Sequence, residues 1–368
     1  MQKSPSKIPI GILGATGAVG QRFLSRLAGH PDFTVAALAA SEKSAGRRYA
    51  EVSPWRLAEP PPPGLADTVL RRAEPDLPCR IVFSALDAAA ARELEPRFAA
   101  AGYLVFSNAS AHRMEEDVPL LVPEVNADHA ALLPIQRGRR GWTGGIVTNP
   151  NCSATQLVLA LAPLQRAFGI ETVIVTTLQS VSGAGYPGVA SLDALGNVLP
   201  DIPEEAEKIE RETARILGRF ANGRVEPAAL TISAHTYRVA VENGHTESVS
   251  VALSRKATAA ELVEAWREFR ADPEVALLPS APARPLAYVD EPHAPQPRRH
   301  AEREGGMVTW IGGLAPCAAL DWKFTVVGNN TVRGAAGGSL LNAELLVRAL
   351  AGETEGSAAA GTRLRDAS

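Results

Sequence analysis

Short apolar runs and runs of helical period take turns along the first part of the chain. Ile8–Leu13, Thr34–Ala39, Ile81–Ala85 and Tyr103–Phe106 are brief and β-like, while Val19–Leu27 and Ala88–Ala100 have the texture of helices. Strands separated by helices pair in parallel, and the helices cover both faces of the sheet. The alternation therefore predicts an α/β fold beginning with a Rossmann-type doubly wound parallel sheet. Pro60 to Pro63 interrupt it and predict a surface loop.

From Cys152 the texture changes. A helical run reaches about Phe168, and Glu171–Gln179, Ala229–His235 and Glu247–Leu253 are strand-like. Helical stretches at Glu204–Leu217 and Ala259–Arg270 lie among them. This predicts a second, α+β domain with an extended mixed sheet covered by helices. Leu278–Gly306, rich in proline and charge, reads as a long ordered loop; Gly334–Leu350 reads as the helix that ends the fold. The expected division is 1–151 plus a returning helix, 335–352, then 152–334, with 353–368 as a flexible tail.

Composition narrows the function classes. With 46% hydrophobic residues and 21% charged ones in 368 residues, the chain can fill two cores, which removes disordered and fibrous classes. A formal net charge of -3 without a block of Lys or Arg gives no footprint for nucleic acid or a membrane surface. A polar start running directly into a strand, and no run of eighteen apolar residues, point to a cytoplasmic protein. Three separated cysteines, Cys79, Cys152 and Cys317, suit reduced thiols better than disulfides or zinc.

Two segments carry candidate chemistry. After the first strand comes Gly14-Ala-Thr-Gly17-Ala-Val-Gly20, with a helix starting at about Ala18. Glycines there let backbone approach a phosphate, whose charge the helix N-terminus favours, although tight packing alone also selects such a turn. Past the second strand, Ser41-Glu-Lys-Ser44 stands where an NAD enzyme places an acidic residue on the ribose; small hydroxyls and Lys43 suit a 2′-phosphate.

The other segment is Asn149-Pro-Asn-Cys152, which puts Cys152 at the start of a helix. Unpaired amides and the positive dipole end lower a thiol's pKa there and can hold an oxyanion. A buried structural cysteine is the alternative; Cys79 and Cys317, near apolar runs, are read that way. His245, after Gly244 at a turn between strands, is the best proton acceptor, whereas His30, His112, His129, His293 and His300 read as solvated. Arg238 offers a fork for a carboxylate or else a surface ion pair.

At these residues the chain resembles the aspartate-semialdehyde dehydrogenase family, in its archaeal and fungal branch. The resemblance rests on the glycine loop, Asn108 with Arg113, Asp117-Val-Pro-Leu, Pro123-Glu-Val-Asn126, Asn149 to Cys152, Gln179-Ser-Val-Ser-Gly-Ala-Gly185, Glu205-Ala-Glu-Lys208, Arg238 to His245 and Asn330 to Gly337. It implies Cys152 as nucleophile, His245 as acid/base and Gln179 as the group that positions the acyl carbon. Arg238 and Glu205 become clamps for the substrate's carboxylate and amino group, and Arg113, Asn151 and Lys208 the phosphate set. Gly14, Thr16, Gly17, Val19, Ser41, Ser44, Ser84 and Asn330 would line an NADP site. Spacing supports Lys208, since Glu205 and Lys208 share one helix face, though a plain ion pair also fits.

The resemblance further implies NADPH-dependent reduction of aspartyl phosphate through a cysteine thioester, reversible with inorganic phosphate, in the biosynthesis of Lys, Thr, Met and Ile, by a homodimer or homotetramer. A malonyl-coenzyme A reductase or N-acetylglutamyl-phosphate reductase would keep the same cysteine and histidine. A non-catalytic NADP-binding redox sensor is the reading from another class.

Overall fold

A computed structural model describes residues 7–363, with side chains as far as 350. Six strands, β1 (Ile8–Leu13), β2 (Phe33–Ala40), β3 (Arg71–Arg72), β4 (Ile81–Ser84), β5 (Leu104–Ser107) and β6 (Gly145–Thr148), form one sheet in the order β3-β2-β1-β4-β5-β6. Every pair is parallel. Apart from the exposed edge strand β3, the strands are almost wholly apolar because helices bury both faces. On one face, α1 (Ala18–Leu27) sets Phe23 and Leu24 on Ile10, Ile12 and Phe83. On the other, α2 (Ala88–Ala100) sets Phe98 on Val82, Val105 and Ile146. α3 (Leu132–Arg140) leads into β6.

The second sheet takes β7 (Ile170–Ser180), β8 (Val198–Pro200), β11 (Thr231–Val239), β12 (His245–Leu253), β13 (Leu286–Val289), β14 (Thr309–Pro316) and β15 (Trp322–Gly328). Their order is β13-β14-β15-β12-β7-β11-β8, with β7/β11 and β13/β14 parallel and the other pairs antiparallel. A small hairpin, β9 (Arg219–Ala221) with β10 (Arg224–Glu226), stands apart. The mixed sheet expected from the sequence is therefore present. β11 runs on to Val239, past the expected His235, which carries Arg238 into the sheet. The stretch expected as a loop, 278–306, contains edge strand β13, whose four residues pair with β14.

Against the second sheet lies α4 (Cys152–Phe168), whose Leu157, Val158, Leu161 and Leu164 are fully buried against Val173, Val175, Val249 and Val251. A helix that is apolar all round belongs in a core. α5 (Glu205–Ile216) and α6 (Ala259–Glu268) complete this layer. The chain then returns to the first sheet in α7 (Gly337–Arg363), where Leu340, Ala343 and Leu346 join the core of Ile10 and Phe83. Arg333, just before α7, grips Glu124 with both forks, at 2.7 and 2.6 Å, and both residues are buried. The tail expected from 353 on falls where side chains, and from 364 the backbone too, lie outside the described residues.

Four histidines expected to be solvated are buried instead. His30 meets Glu344 at 2.8 Å, His112 meets Glu115 at 2.7 Å, His129 is 2.9 Å from Asn126, and His300 is 3.1 Å from the Gln296 carbonyl. Polar neighbours in sequence signalled partners here, not solvent. Only His293 of that group is exposed.

Candidate active site

The N-terminal end of α4 carries the thiol. Asn151 is the N-cap, and its Oδ1 accepts from the amides of Ser153 (2.9 Å) and Ala154 (3.1 Å). The Cys152 amide is left without a protein partner among the described residues, so one donor remains free beside the sulfur. Gly334 lets the returning chain pass: a Cβ there would lie 2.6 Å from Cys152 Cβ.

His245, the first residue of β12, is fully buried, and its Nε2 sits 3.1 Å from Cys152 Sγ. Ninety-three positions of sequence separate the two. On neighbouring β7 and β11, Gln179 and Arg238 are paired in register and point to the same side as His245. Arg238 Nη1 donates to the Ser180 carbonyl (2.9 Å) and to Gln179 Oε1 (3.4 Å); Gln179 Nε2 donates to Glu205 (3.3 Å). Glu205, at the start of α5, also receives Asn151 Nδ2 at 2.8 Å. Five of the sequence-derived residues thus form one connected shell around the sulfur of a sixth.

The three expected phosphate ligands are differently placed. Asn151 spends its side chain on the cap and on Glu205. Lys208 Nζ is 3.2 Å from Glu204 and 3.7 Å from Glu205, the ion pair its spacing allowed. Arg113 donates to Glu212 (3.0 Å) and to the Asn108 carbonyl (2.7 Å). Ser110, Arg113, Lys208 and Arg211 nevertheless line a common cleft of about 510 Å³, in which four basic side chains face four glutamates.

Sequence reasoning missed Glu212. Its carboxylate is buried, and it holds both Arg113 and the Asn151 amide, the latter at 2.6 Å. The signal was present in the spacing Glu205, Lys208, Glu212, which is one helix face.

Electrostatics correct a second expectation. The helix end alone predicts an acidic thiol, yet burial pushes Cys152 up to about 12, with Glu205 adding to the rise and Arg113 and Arg238 opposing it. Burial, helped by Arg238, pushes His245 down to about 3. Loss of solvation outweighs the dipole here, so at rest the thiol and the imidazole are both neutral. Elsewhere, burial raises Cys79 to about 11, and backbone donors from Leu320 and Ala319 lower the half-exposed Cys317.

In the first domain, the glycine loop leaves β1 with Gly14 at φ 74°. A Cβ on Gly14 would meet the Ala85 carbonyl at 2.6 Å, and one on Gly20 would meet the Gly14 carbonyl at 2.3 Å. Gly17 is the N-cap of α1, with no side chain closing its first amides. Such a cradle fits a dinucleotide's phosphates. Ser41 and Ser44 are 3.5 Å apart in the turn after β2, with Ser41 exposed. Ser84 ends β4 with its hydroxyl fully buried, while Asn330 lies on the histidine side, bonded to Ser180, Ser182 and Gly244.

Compared with known proteins, residues 9–133 match the model for "Semialdehyde dehydrogenase, NAD binding domain", and residues 161–333 match "Semialdehyde dehydrogenase, dimerisation domain". The chain belongs to the semialdehyde dehydrogenase family. The family's NAD-binding domain thus coincides with the parallel sheet and its glycine loop, and its dimerisation domain with the mixed sheet. An aspartate-semialdehyde dehydrogenase of Methanothermobacter thermautotrophicus is 47% identical over 92% of this chain and 99% of its own. One from Cryptococcus neoformans is 44% identical over 93% and 97%. A crystal structure of aspartate semialdehyde dehydrogenase with NADP from Candida albicans superposes with a TM-score of 0.85 at 37% identity, covering 93% of this chain and 98% of that one. Among the described residues, no helix is long and apolar enough to cross a membrane.

Proposed function

We propose that this family member is an aspartate-semialdehyde dehydrogenase, which reduces L-aspartyl-4-phosphate to L-aspartate-4-semialdehyde with NADPH and reverses the reaction with inorganic phosphate. The observation that carries the reading is the 3.1 Å contact between Cys152 Sγ and His245 Nε2 inside a shell of Arg238, Gln179 and Glu205. The relatives' names support the substrate, and Arg113, Lys208 and Arg211 in one cleft are the cations that would receive its phosphate.

Cys152 Sγ attacks the acyl carbon while its proton passes to His245, because neither group is charged at rest. The free Cys152 amide faces the developing oxyanion. Phosphate leaves toward Arg113 and Lys208, giving a thioester on Cys152. NADPH held by the glycine loop would supply a hydride to the acyl carbon. His245 moves the proton that lets the thiohemiacetal collapse to aldehyde and free thiol. Arg238 grips the substrate's α-carboxylate, Glu205 its amino group, and Gln179 positions the acyl carbon.

Gly14, Thr16, Gly17 and Val19 would hold the dinucleotide, with Ser41 and Ser44 beside its 2′-phosphate, and Ser84 and Asn330 bordering the site. The domain division at 151/152, with the returning helix counted in the first domain, belongs to the same reading. So do a homodimer or homotetramer, supported by Ile174 and Leu178, which are 42% and 38% exposed on β7, a cytoplasmic location, and service in Lys, Thr, Met and Ile synthesis. The test follows NADPH absorbance with aspartyl phosphate and malonyl-coenzyme A in parallel. Oxidation with the acyl phosphate is expected; preference for the thioester overturns the substrate.

A further inference from the structure

The proton on His245 is governed from behind the ring. Nδ1 faces two atoms of a single residue: the Ser180 amide at 3.1 Å and the Ser180 hydroxyl at 3.2 Å. An amide N–H only donates, so it requires a lone pair on Nδ1 and leaves the hydrogen of a neutral ring on Nε2. A ring in that form has no lone pair to offer the thiol.

The hydroxyl has the opposite sense, and its direction follows from a backbone group. The Gly244 N–H donates to the Asn330 side chain at 2.9 Å, so the atom it meets is the oxygen, Oδ1. Ser180 Oγ lies 3.0 Å from that same oxygen and must give it its only hydrogen. Asn330 Nδ2 donates to Ser182 Oγ at 2.9 Å, which leaves the Ser182 hydroxyl to donate to Ser180 Oγ at 3.1 Å. One lone pair on Ser180 Oγ then remains, and it faces Nδ1. Ser180 and His245 are fully buried and Asn330 nearly so, so bulk water does not substitute for these groups.

We propose that Ser180, oriented by Asn330, is a positioning residue that decides where His245 carries its proton: the amide favours hydrogen on Nε2 at rest, and the hydroxyl receives Nδ1–H when Nε2 must accept a proton. In the forward reaction the ring loses its Nε2 hydrogen to water in the cleft beside the half-buried Cys152 and takes one on Nδ1 from the Ser180 hydroxyl, which the half-buried Ser182 hydroxyl replenishes from solvent, a tautomer shift without net charge. The freed Nε2 then takes the thiol proton as sulfur attacks and becomes imidazolium, with Nδ1–H on Ser180 Oγ. Returning that proton restores the neutral ring. The proposal rests on Cys152 and His245 acting as described under Proposed function.

The test combines the ring-nitrogen NMR signals of ¹⁵N-histidine-labelled full-length protein with pH profiles of NADPH turnover. The resting protein is expected to show His245 with hydrogen on Nε2; a resting Nδ1–H signal overturns the proposal, and this measurement needs no variant. In Ser180→Ala, kcat is expected to fall about tenfold or more, as for loss of a hydrogen bond to a charged group, with KM within about twofold. The limb reporting ring protonation moves to lower pH, because imidazolium loses its acceptor. Ser180→Thr, which keeps the hydroxyl, restores the limb. An Ala variant slowed without movement of the limb overturns the proposal, as does an unslowed one. Should Ser180→Ala not fold, Asn330→Ala lets the hydroxyl donate to Nδ1 and is expected to move the limb in the same direction. If Cys152→Ala retained turnover, the reaction scheme would fail, while the tautomer stayed readable by NMR.

Discussion

The glycine loop and the thiol site use opposite materials. The loop works through what its residues lack: at Gly14 and Gly20 there is no room for a Cβ, and at the head of α1 no side chain closes the amides. The thiol site works through side chains delivered from α4, α5, β7, β11 and β12, each holding the next. A loop built from absent atoms is local, and it tolerates no addition. A network built from long-range hydrogen bonds tolerates no subtraction, because a buried group that loses its partner keeps the cost of desolvation.

The largest effect that sharpens the contrast is Cys152→Ala. Turnover is expected to drop by a factor on the order of 10⁵ or more, since the covalent route disappears. NADPH binding, followed by fluorescence titration, should stay within about twofold. Residual turnover above the uncatalysed rate, or lost cofactor binding, would show that the loop and the thiol site are not separable.

The converse is Gly20→Ala. Its new Cβ would lie 2.3 Å from the Gly14 carbonyl and 2.8 Å from the Ala15 backbone, so the loop itself must shift. We expect a stability loss of about 1–3 kcal/mol in urea unfolding and weaker NADPH binding. Alkylation of Cys152 by iodoacetamide should proceed at the parent rate; a changed rate would couple loop and thiol.

Arg238→Lys is smaller again. An ammonium keeps the charge but not the fork that reaches Ser180, Gln179 and a carboxylate together. KM for the semialdehyde is expected to rise about tenfold, with kcat less affected. Equal loss in both would move Arg238 from substrate clamp to transition-state contact.

The same contrast explains what could be read from the sequence. Gly14, Gly17 and Gly20 lie within seven residues between an apolar strand and a helix, so their meaning is legible locally. Cys152 announced itself because Asn149, Pro150 and Asn151 mark a helix start. His245 was found, but not its burial or its place inside a strand. Ser180 carried no local mark, since its role depends on a contact 65 residues away; Glu212 shared a helix face with Glu205 and Lys208, but its partner Asn151 lies 61 residues off. The buried histidines were misjudged for the same reason: polar neighbours look alike whether they meet water or each other. The thiol's basicity was missed because a helix end is visible in sequence and the depth of burial is not.

The last prediction probes a residue that neither the glycine loop nor the thiol site uses. Glu247 follows His245 by two positions on β12, is fully buried, and has no partner for either carboxyl oxygen among the described residues. Burial holds its pKa well above the ordinary value of 4.5. The unfolded chain therefore releases this proton above about pH 4.5, while the folded chain keeps it. Folding then binds a proton, and stability falls as pH rises until the folded group ionises as well. Gln has nearly the same shape and no proton to lose. Glu247→Gln should match the parent near pH 4.5 and gain on it by up to about 1.4 kcal/mol per pH unit above that, read from urea unfolding at pH 5, 6 and 7. Parallel stability curves would mean that Glu247 has a charge-stabilising partner in solution, and that the side-chain network around the thiol reaches further along β12 than His245.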